Sequence, residues 1–255
     1  MIIEYHRPST LEEALELLAR SEPATFPLGG GTVLNQLTKD EFAVVDLQRL
    51  GLSALRVSRN RIYIGAACRL QSLIDDQDPA LPGALVTAAS HEGSYNTRQV
   101  ATTAGALVAA DGRSPFAAVM LALDCELSIQ PDDETTRYGD LLPVRHTELA
   151  HKLITEITFP AEVKTSYQSI SRSPADLPVV STAVCAWPSG RVRVVVGGSG
   201  EMPLLALDGK DSEGAEYAAR NAASEMEDQW GSAEYRTEMA ALLTRRAMAE
   251  IGASQ

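Results

Sequence analysis

Apolar and polar positions divide the chain into three stretches of different rhythm. In the first, Ile2-Ile3-Glu4-Tyr5 reads as a short strand that leaves through Arg7-Pro8. Leu11, Ala14, Leu15 and Leu18 then recur at the spacing of one helix face, over Leu11 to Ala19. Ser9 or Thr10 can cap that helix, and Glu12 and Glu13 suit the positive end of its dipole. Ala24 to Leu28 and Phe42 to Asp46 read as two more strands, with a helix predicted between them over Thr32 to Leu37. The order strand–helix–strand–helix–strand favours a small parallel sheet.

From Ser53 the pattern changes. Leu55 to Ser58 and Arg61 to Gly65 form a hairpin pattern around Arg59-Asn60. Helical segments are predicted over Leu70 to Asp75, Leu85 to Ser90 and Phe116 to Leu123, the last with Ser114 as cap and Pro115 at its first position. Glu126 to Gln130 and Leu153 to Phe159 read as strands, and Pro131 to Thr136 as an acidic turn. The third stretch begins near Pro160 to Thr165. Ser166 to Ser171, Val179 to Ala186 and Arg191 to Val196 read as strands, and Ala215 to Glu227 and Ala233 to Ile251 as helices with one charged side.

Charge and cysteine usage narrow the classes of function. Against 22 Lys and Arg stand 34 Asp and Glu, a formal charge of −12. That balance argues against a nucleic-acid partner, which leaves a basic footprint. No apolar run approaches the ~18 residues of a membrane span, and the first ten residues lack the layout of a signal peptide. Cys68, Cys125 and Cys185 are widely separated, which suits buried thiols in a reducing, cytoplasmic setting. Without any CxxC the chain offers no iron–sulfur or structural zinc site of its own. His146 and His151 are five residues apart, which does not put both on one helix face, so no metal site is assigned.

Candidate chemistry concentrates in two glycine-containing stretches. The strand ending Phe26-Pro27-Leu28 runs into Gly29-Gly30-Gly31-Thr32, followed by Val33-Leu34. Its amides can form a nest for a phosphate, or the glycines can serve a tight turn. Leu34 stands where the third glycine of GxGxxG is needed, so a Rossmann site is not indicated. There is no GxxxxGK[ST] loop either. Gly197-Gly198-Ser199-Gly200 approaches a nucleophile elbow, but Glu201 occupies the position of its last glycine. No catalytic acid, base or nucleophile is assigned. The second stretch, Asn96 to Leu107, carries Thr102-Thr103-Ala104-Gly105-Ala106, small residues that let a ligand approach the backbone.

In sequence order, these stretches resemble the FAD-binding subunit or domain of molybdenum hydroxylases, as in carbon monoxide dehydrogenase flavoprotein and xanthine dehydrogenase. The family's opening helix is matched by Pro8 to Leu18, its A-G-G-T-x-L loop by Gly29 to Leu34, and its I-R-N-x-A-T-I-G-G-N-L loop by Thr97 to Leu107. Leu121-Ala122-Leu123-Asp124-Cys125 resembles its L-A-L-D-A helix end, and Leu153 to Pro160 its L-L-T-E-I-x-x-P strand. Arg172 to Val184 and Val192 to Gly198 resemble its later Arg…Asp…V-S-x-A-V and V-R-x-x-x-G-G runs. Where the family has G-G-N, this chain has Ala104-Gly105-Ala106.

The resemblance implies an α+β fold. A two-part FAD-binding domain would span 1–162, with a small parallel βαβαβ unit (about 1–52) and a mixed-sheet subdomain (53–162). A smaller domain of antiparallel strands and helices would span 163–255. It further implies that Pro27 to Leu34 hold the FAD pyrophosphate and Thr102 to Ala106 line the other side of the cofactor, with Asp111 and Asp176 behind them. The implied role is electron transfer. A molybdopterin-binding large subunit and a 2Fe–2S small subunit would be partners, and NAD, oxygen or another external acceptor would take the electrons. A family member retained as a structural or assembly subunit and a free-standing flavoprotein oxidoreductase are the alternative readings.

Overall fold

The computed structural model describes residues 1–34, 40–76 and 78–253. Three sheets follow one another along the chain. In the first, β1 (Ile2–His6), β2 (Thr25–Leu28) and β3 (Phe42–Asp46) pair in parallel in the order β1-β3-β2. Every residue of the central strand β3 is buried. The helix Leu11–Leu18 starts at Thr10, whose hydroxyl accepts from the Glu13 amide at 3.2 Å, and its Ala14 and Leu18 pack against Val45, Leu47 and Leu153. Of the helix expected over Thr32 to Leu37, residues 35–37 lie outside the described residues; Thr32 and Val33 form a turn and Leu34 is helical.

The second sheet has the order β4-β5-β8-β6-β7 and is antiparallel throughout. Its strands are β4 (Leu55–Ser58), β5 (Arg61–Gly65), β6 (Glu126–Gln130), β7 (Glu134–Arg137) and β8 (Leu153–Pro160). The mixed sheet expected over 53–162 is thus antiparallel at every pairing, because its strands follow one another through hairpins and antiparallel returns, and parallel pairing is confined to the first sheet. At the β4–β5 turn both Arg59 (φ 49°) and Asn60 (φ 63°) are left-handed, as a two-residue type I′ hairpin requires. Ile62, Ile64, Leu127, Ile129, Ile157 and Phe159 bury one face of the sheet. The acidic turn expected over Pro131 to Thr136 ends at Asp133, and Glu134–Arg137 continue as an exposed edge strand.

The third sheet is antiparallel with the order β12-β11-β10-β9. It comprises β9 (Lys164–Ile170), β10 (Val180–Ala186), β11 (Val192–Gly197) and β12 (Leu204–Gly209). The helices Ala215–Ala223 and Ala233–Ala253 cover one face, and the helix Pro115–Ala122 lies against β10 and β11 on the other. That double cover explains why β11 is buried along its whole length and why Val194-Val195-Val196 is apolar without alternation. All eight residues of Pro115–Ala122 are buried, so this helix shows no polar face. Tyr167, Ala183, Cys185 and Val195 of the third sheet join Phe116 and Met120 in one hydrophobic cluster with the second sheet.

Candidate functional site

The chain places its two glycine-containing loops against each other. β2 ends at Leu28, and the next residues pack on the segment Val100–Thr102, some seventy residues further on. A Cβ on Gly30 would overlap the Val100 carbonyl, and one on Gly29 would stand 2.6 Å from Thr102 Oγ1. Gly31 is needed for another reason, a left-handed backbone with φ +67°. Two of the three glycines thus exist so that one loop can lie on the other, and the third turns the chain. Among the described residues the amides of Gly30, Gly31 and Thr32 donate no hydrogen bond to a protein acceptor.

Thr102 is the pivot of the second loop. Its hydroxyl caps the helix Thr103–Ala109 by accepting from the Gly105 amide at 3.2 Å. Thr103 is fully buried and donates to the Gly65 carbonyl at 3.0 Å, which pins the helix start to the end of β5. Its amide bonds Cys68 O, and that of Ala104 bonds Ala66 O. Arg69 pairs with Thr102 in an isolated antiparallel bridge beside these bonds. Gly105 is exposed, and a Cβ there would meet only the cap hydroxyl of Thr102. Ala104 and Ala106 turn their methyl groups onto the hydrophobic core. Pro27 and Thr32 are exposed; Leu28, Val33 and Leu34 are partly buried.

Asp111 and Asp176 belong to a second locus beyond the far end of the helix Thr103–Ala109. Asp111 is exposed and accepts from the Arg113 amide at 2.8 Å, while Asp176 pairs with Arg172 at 3.4 Å. The Arg113 guanidinium joins their segments by donating to the Leu177 and Pro178 carbonyls at 2.7 and 3.1 Å. Gly112 lies so close to Ser199 that a Cβ would overlap its carbonyl, and its amide bonds Gly200 O at 2.9 Å. The glycines of 197–200 therefore join the end of β11 to the loop between the helices Thr103–Ala109 and Pro115–Ala122. Arg172 also stacks on Trp230, 3.8 Å from the ring centre.

Next to this locus Glu92 accepts from Ser114 Oγ at 2.7 Å and from the Phe116 amide at 2.8 Å, at the start of the buried helix. Burial pushes its carboxyl up to about 7, against the pull of those two donors. Nothing local marks this residue beyond its acidity, because its partners lie more than twenty positions away. Elsewhere the titrating groups are structural. Burial raises all three thiols, Cys68 to about 11 and the other two further. His151 faces the Leu18 carbonyl at 2.7 Å. Among the described residues no group of three His, Cys, Asp or Glu could hold a metal ion, and no helix is long and apolar enough to cross a membrane.

Residues 1–162 match the family model described as the FAD binding domain in molybdopterin dehydrogenase. The uncharacterized protein YgfM of Escherichia coli (strain K12) is 32% identical over 243 residues, covering 92% of this chain and 91% of its own. The glyceraldehyde dehydrogenase medium chain of Sulfolobus acidocaldarius is 26% identical over 274 residues, 97% of each chain. The fold is shared with a chain of the carbon monoxide dehydrogenase from Hydrogenophaga pseudoflava lacking the Mo-pyranopterin moiety. That superposition has a TM-score of 0.82 at 23% identity, over 99% of this chain and 98% of the other.

Proposed function

The chain belongs to the FAD-binding domain family of molybdopterin dehydrogenases, and from that premise we propose that it is the flavin-carrying, electron-transferring subunit of such an enzyme. One observation carries the reading: Gly29-Gly30 lie on Val100–Thr102, within the stretch that matches the family, so that two distant loops form one cradle. The residues fit the group. A diphosphate needs several donors at close quarters, and the amides of Gly30, Gly31 and Thr32 supply them without a side chain in the way. Gly105 leaves the opposite loop open to the cofactor, and the core-facing methyls of Ala104 and Ala106 leave that side clear.

In this reading Pro27 to Leu34 hold the diphosphate and Thr102 to Ala106 line the other side of the cofactor, with Asp111 and Asp176 behind them. The helix between the two loci has seven residues, roughly 10 Å, a span suited to an extended dinucleotide. Bound FAD supplies the redox chemistry, accepting electrons one at a time and releasing them in pairs. The chain orients it, keeps its diphosphate on backbone donors and holds the two loci at fixed separation. The partners are a molybdopterin-binding large subunit and a 2Fe–2S small subunit, as the name of the Sulfolobus relative, a medium chain, suggests. NAD, oxygen or another external acceptor takes the electrons. The buried, separate thiols suit a cytoplasmic complex.

Co-expression with such large and small subunits tests the proposal. A three-protein complex is expected on capture of this chain, with its flavin band bleached when the reduced 2Fe–2S subunit is mixed in. A chain that binds FAD but neither subunit would leave a free-standing flavoprotein instead.

A further inference from the structure

We infer that Arg69 supplies the positive charge for the diphosphate held by the two loops. The inference rests on the reading of those loops as the FAD site. Arg69 and Thr102 face each other across an antiparallel bridge. The bonds flanking that pair are Leu70 N to Ala101 O at 3.0 Å and Thr103 N to Cys68 O at 2.8 Å. Both belong to the neighbours, so Arg69 and Thr102 are the non-hydrogen-bonded kind of pair, in which the side chains are closest and emerge on the same face. The Thr102 side chain is the one that meets Gly29 and Gly105. Arg69 therefore starts from the cradle's own face, one strand away.

Its charge is also available. Arg69 is exposed, and among the described residues its side chain takes part in no hydrogen bond or ion pair. The other arginines nearby are committed. Arg98 donates to the Ser90 carbonyl at 2.8 Å and to Gln71 at 3.2 Å, and Arg113 to Pro178 and Leu177. In a chain of formal charge −12, a dianionic group is otherwise held by backbone dipoles against the field of the whole protein. A guanidinium can pair bidentately with phosphate oxygens, which neither a hydroxyl nor an amide does.

Titration of the purified chain with FAD, followed by quenching of flavin fluorescence, tests the assignment with Arg69→Gln, Arg69→Lys and a charge-matched control, Arg246→Gln, on the exposed side of the last helix. Arg69→Gln is expected to weaken FAD about tenfold at low salt, and to flatten the salt dependence of binding. Arg69→Lys should recover part of the affinity, keeping the charge but not the bidentate pairing, and Arg246→Gln should stay within about twofold of the parent, since a remote exposed charge is largely screened. Unchanged affinity in Arg69→Gln overturns the assignment and leaves the loops as the FAD site. Equal losses for Lys and Gln overturn the charge argument. Failure of the parent chain to bind FAD overturns both readings together.

Discussion

Replacing Gly30 by alanine should separate the two loops that make the cradle. The added methyl would overlap the Val100 carbonyl and stand 2.9 Å from the Ala101 nitrogen, where ordinary contact begins at 3.4 Å. Both are backbone atoms of a segment held by Leu70 N to Ala101 O and Thr103 N to Cys68 O, so no side chain can swing aside. One loop must move by at least 0.5 Å relative to the Ala101 nitrogen, and by more relative to Val100. Forced overpacking of this kind costs ~1–3 kcal/mol. For a chain of this length each kcal/mol lowers Tm by roughly 2–4 °C. Any donor drawn out of reach of the diphosphate forfeits ~1.5–3 kcal/mol, so FAD affinity should fall at least about tenfold. Gly51→Ala is the matched control. Unlike Gly30 it has a left-handed backbone, φ +71°, but no atom lies within 4 Å of the new methyl, so it should lose ~1–2 kcal/mol of stability through the backbone alone and no affinity. Thermal melts and flavin-fluorescence titrations of both variants suffice. If Gly30→Ala melts and binds FAD like the parent chain, the contact between the loops is not what forms the site.

Three further outcomes follow from other contacts. Thr102→Ala removes the hydroxyl that caps Thr103–Ala109 and should cost ~1 kcal/mol in a denaturant melt, with a measurable loss of FAD affinity. Gly112→Ala would overlap the Ser199 carbonyl just past the end of β11, and is expected to lower Tm in a thermal melt. Glu92 gives a pH dependence of unusual sign. Its folded carboxyl titrates near 7 rather than at the ordinary 4.5, so the folded state keeps a proton the unfolded state has lost. Stability falls as pH rises between those values, by at most ~3 kcal/mol. Glu92→Gln should flatten that part of the curve, and an unchanged slope from pH 5 to 7 would refute the assignment. The carboxyls of Asp208 and Asp228 are lowered, Asp208 chiefly by its bond from Arg191 and Asp228, against the opposing effect of burial, by its bond from Arg236. Their share of stability is instead lost in acid, as pH falls through their folded values.

What was legible in the sequence depended on how local the physics was. The β4–β5 hairpin and the helix at Pro115 follow from neighbouring residues, and both form where the pattern puts them. β7 and β12 were not expected, because polar edge positions hide the first and β12 follows a glycine-rich junction with little alternation. Within the site, the sequence ranks Gly29, Gly30 and Gly31 alike. Only the fold separates them, giving two to contact with Val100–Thr102 and one to a left-handed turn. Val100 and Arg69 carried no signal of their own, since their importance comes from partners across the chain. Ala104 and Ala106 depart from the family's glycine and asparagine, yet their methyls join the core, a direction no spacing argument supplies.

By this proposal the cradle of Gly29–Thr32 on Val100–Gly105 binds FAD. The most direct measurement is the flavin content of the purified chain, read from its visible absorption and from the nucleotide released on denaturation, before and after incubation with excess FAD. About one FAD per chain is the predicted result, with Gly30→Ala retaining markedly less. A chain that is colourless as isolated and remains so after incubation and desalting would contradict the account.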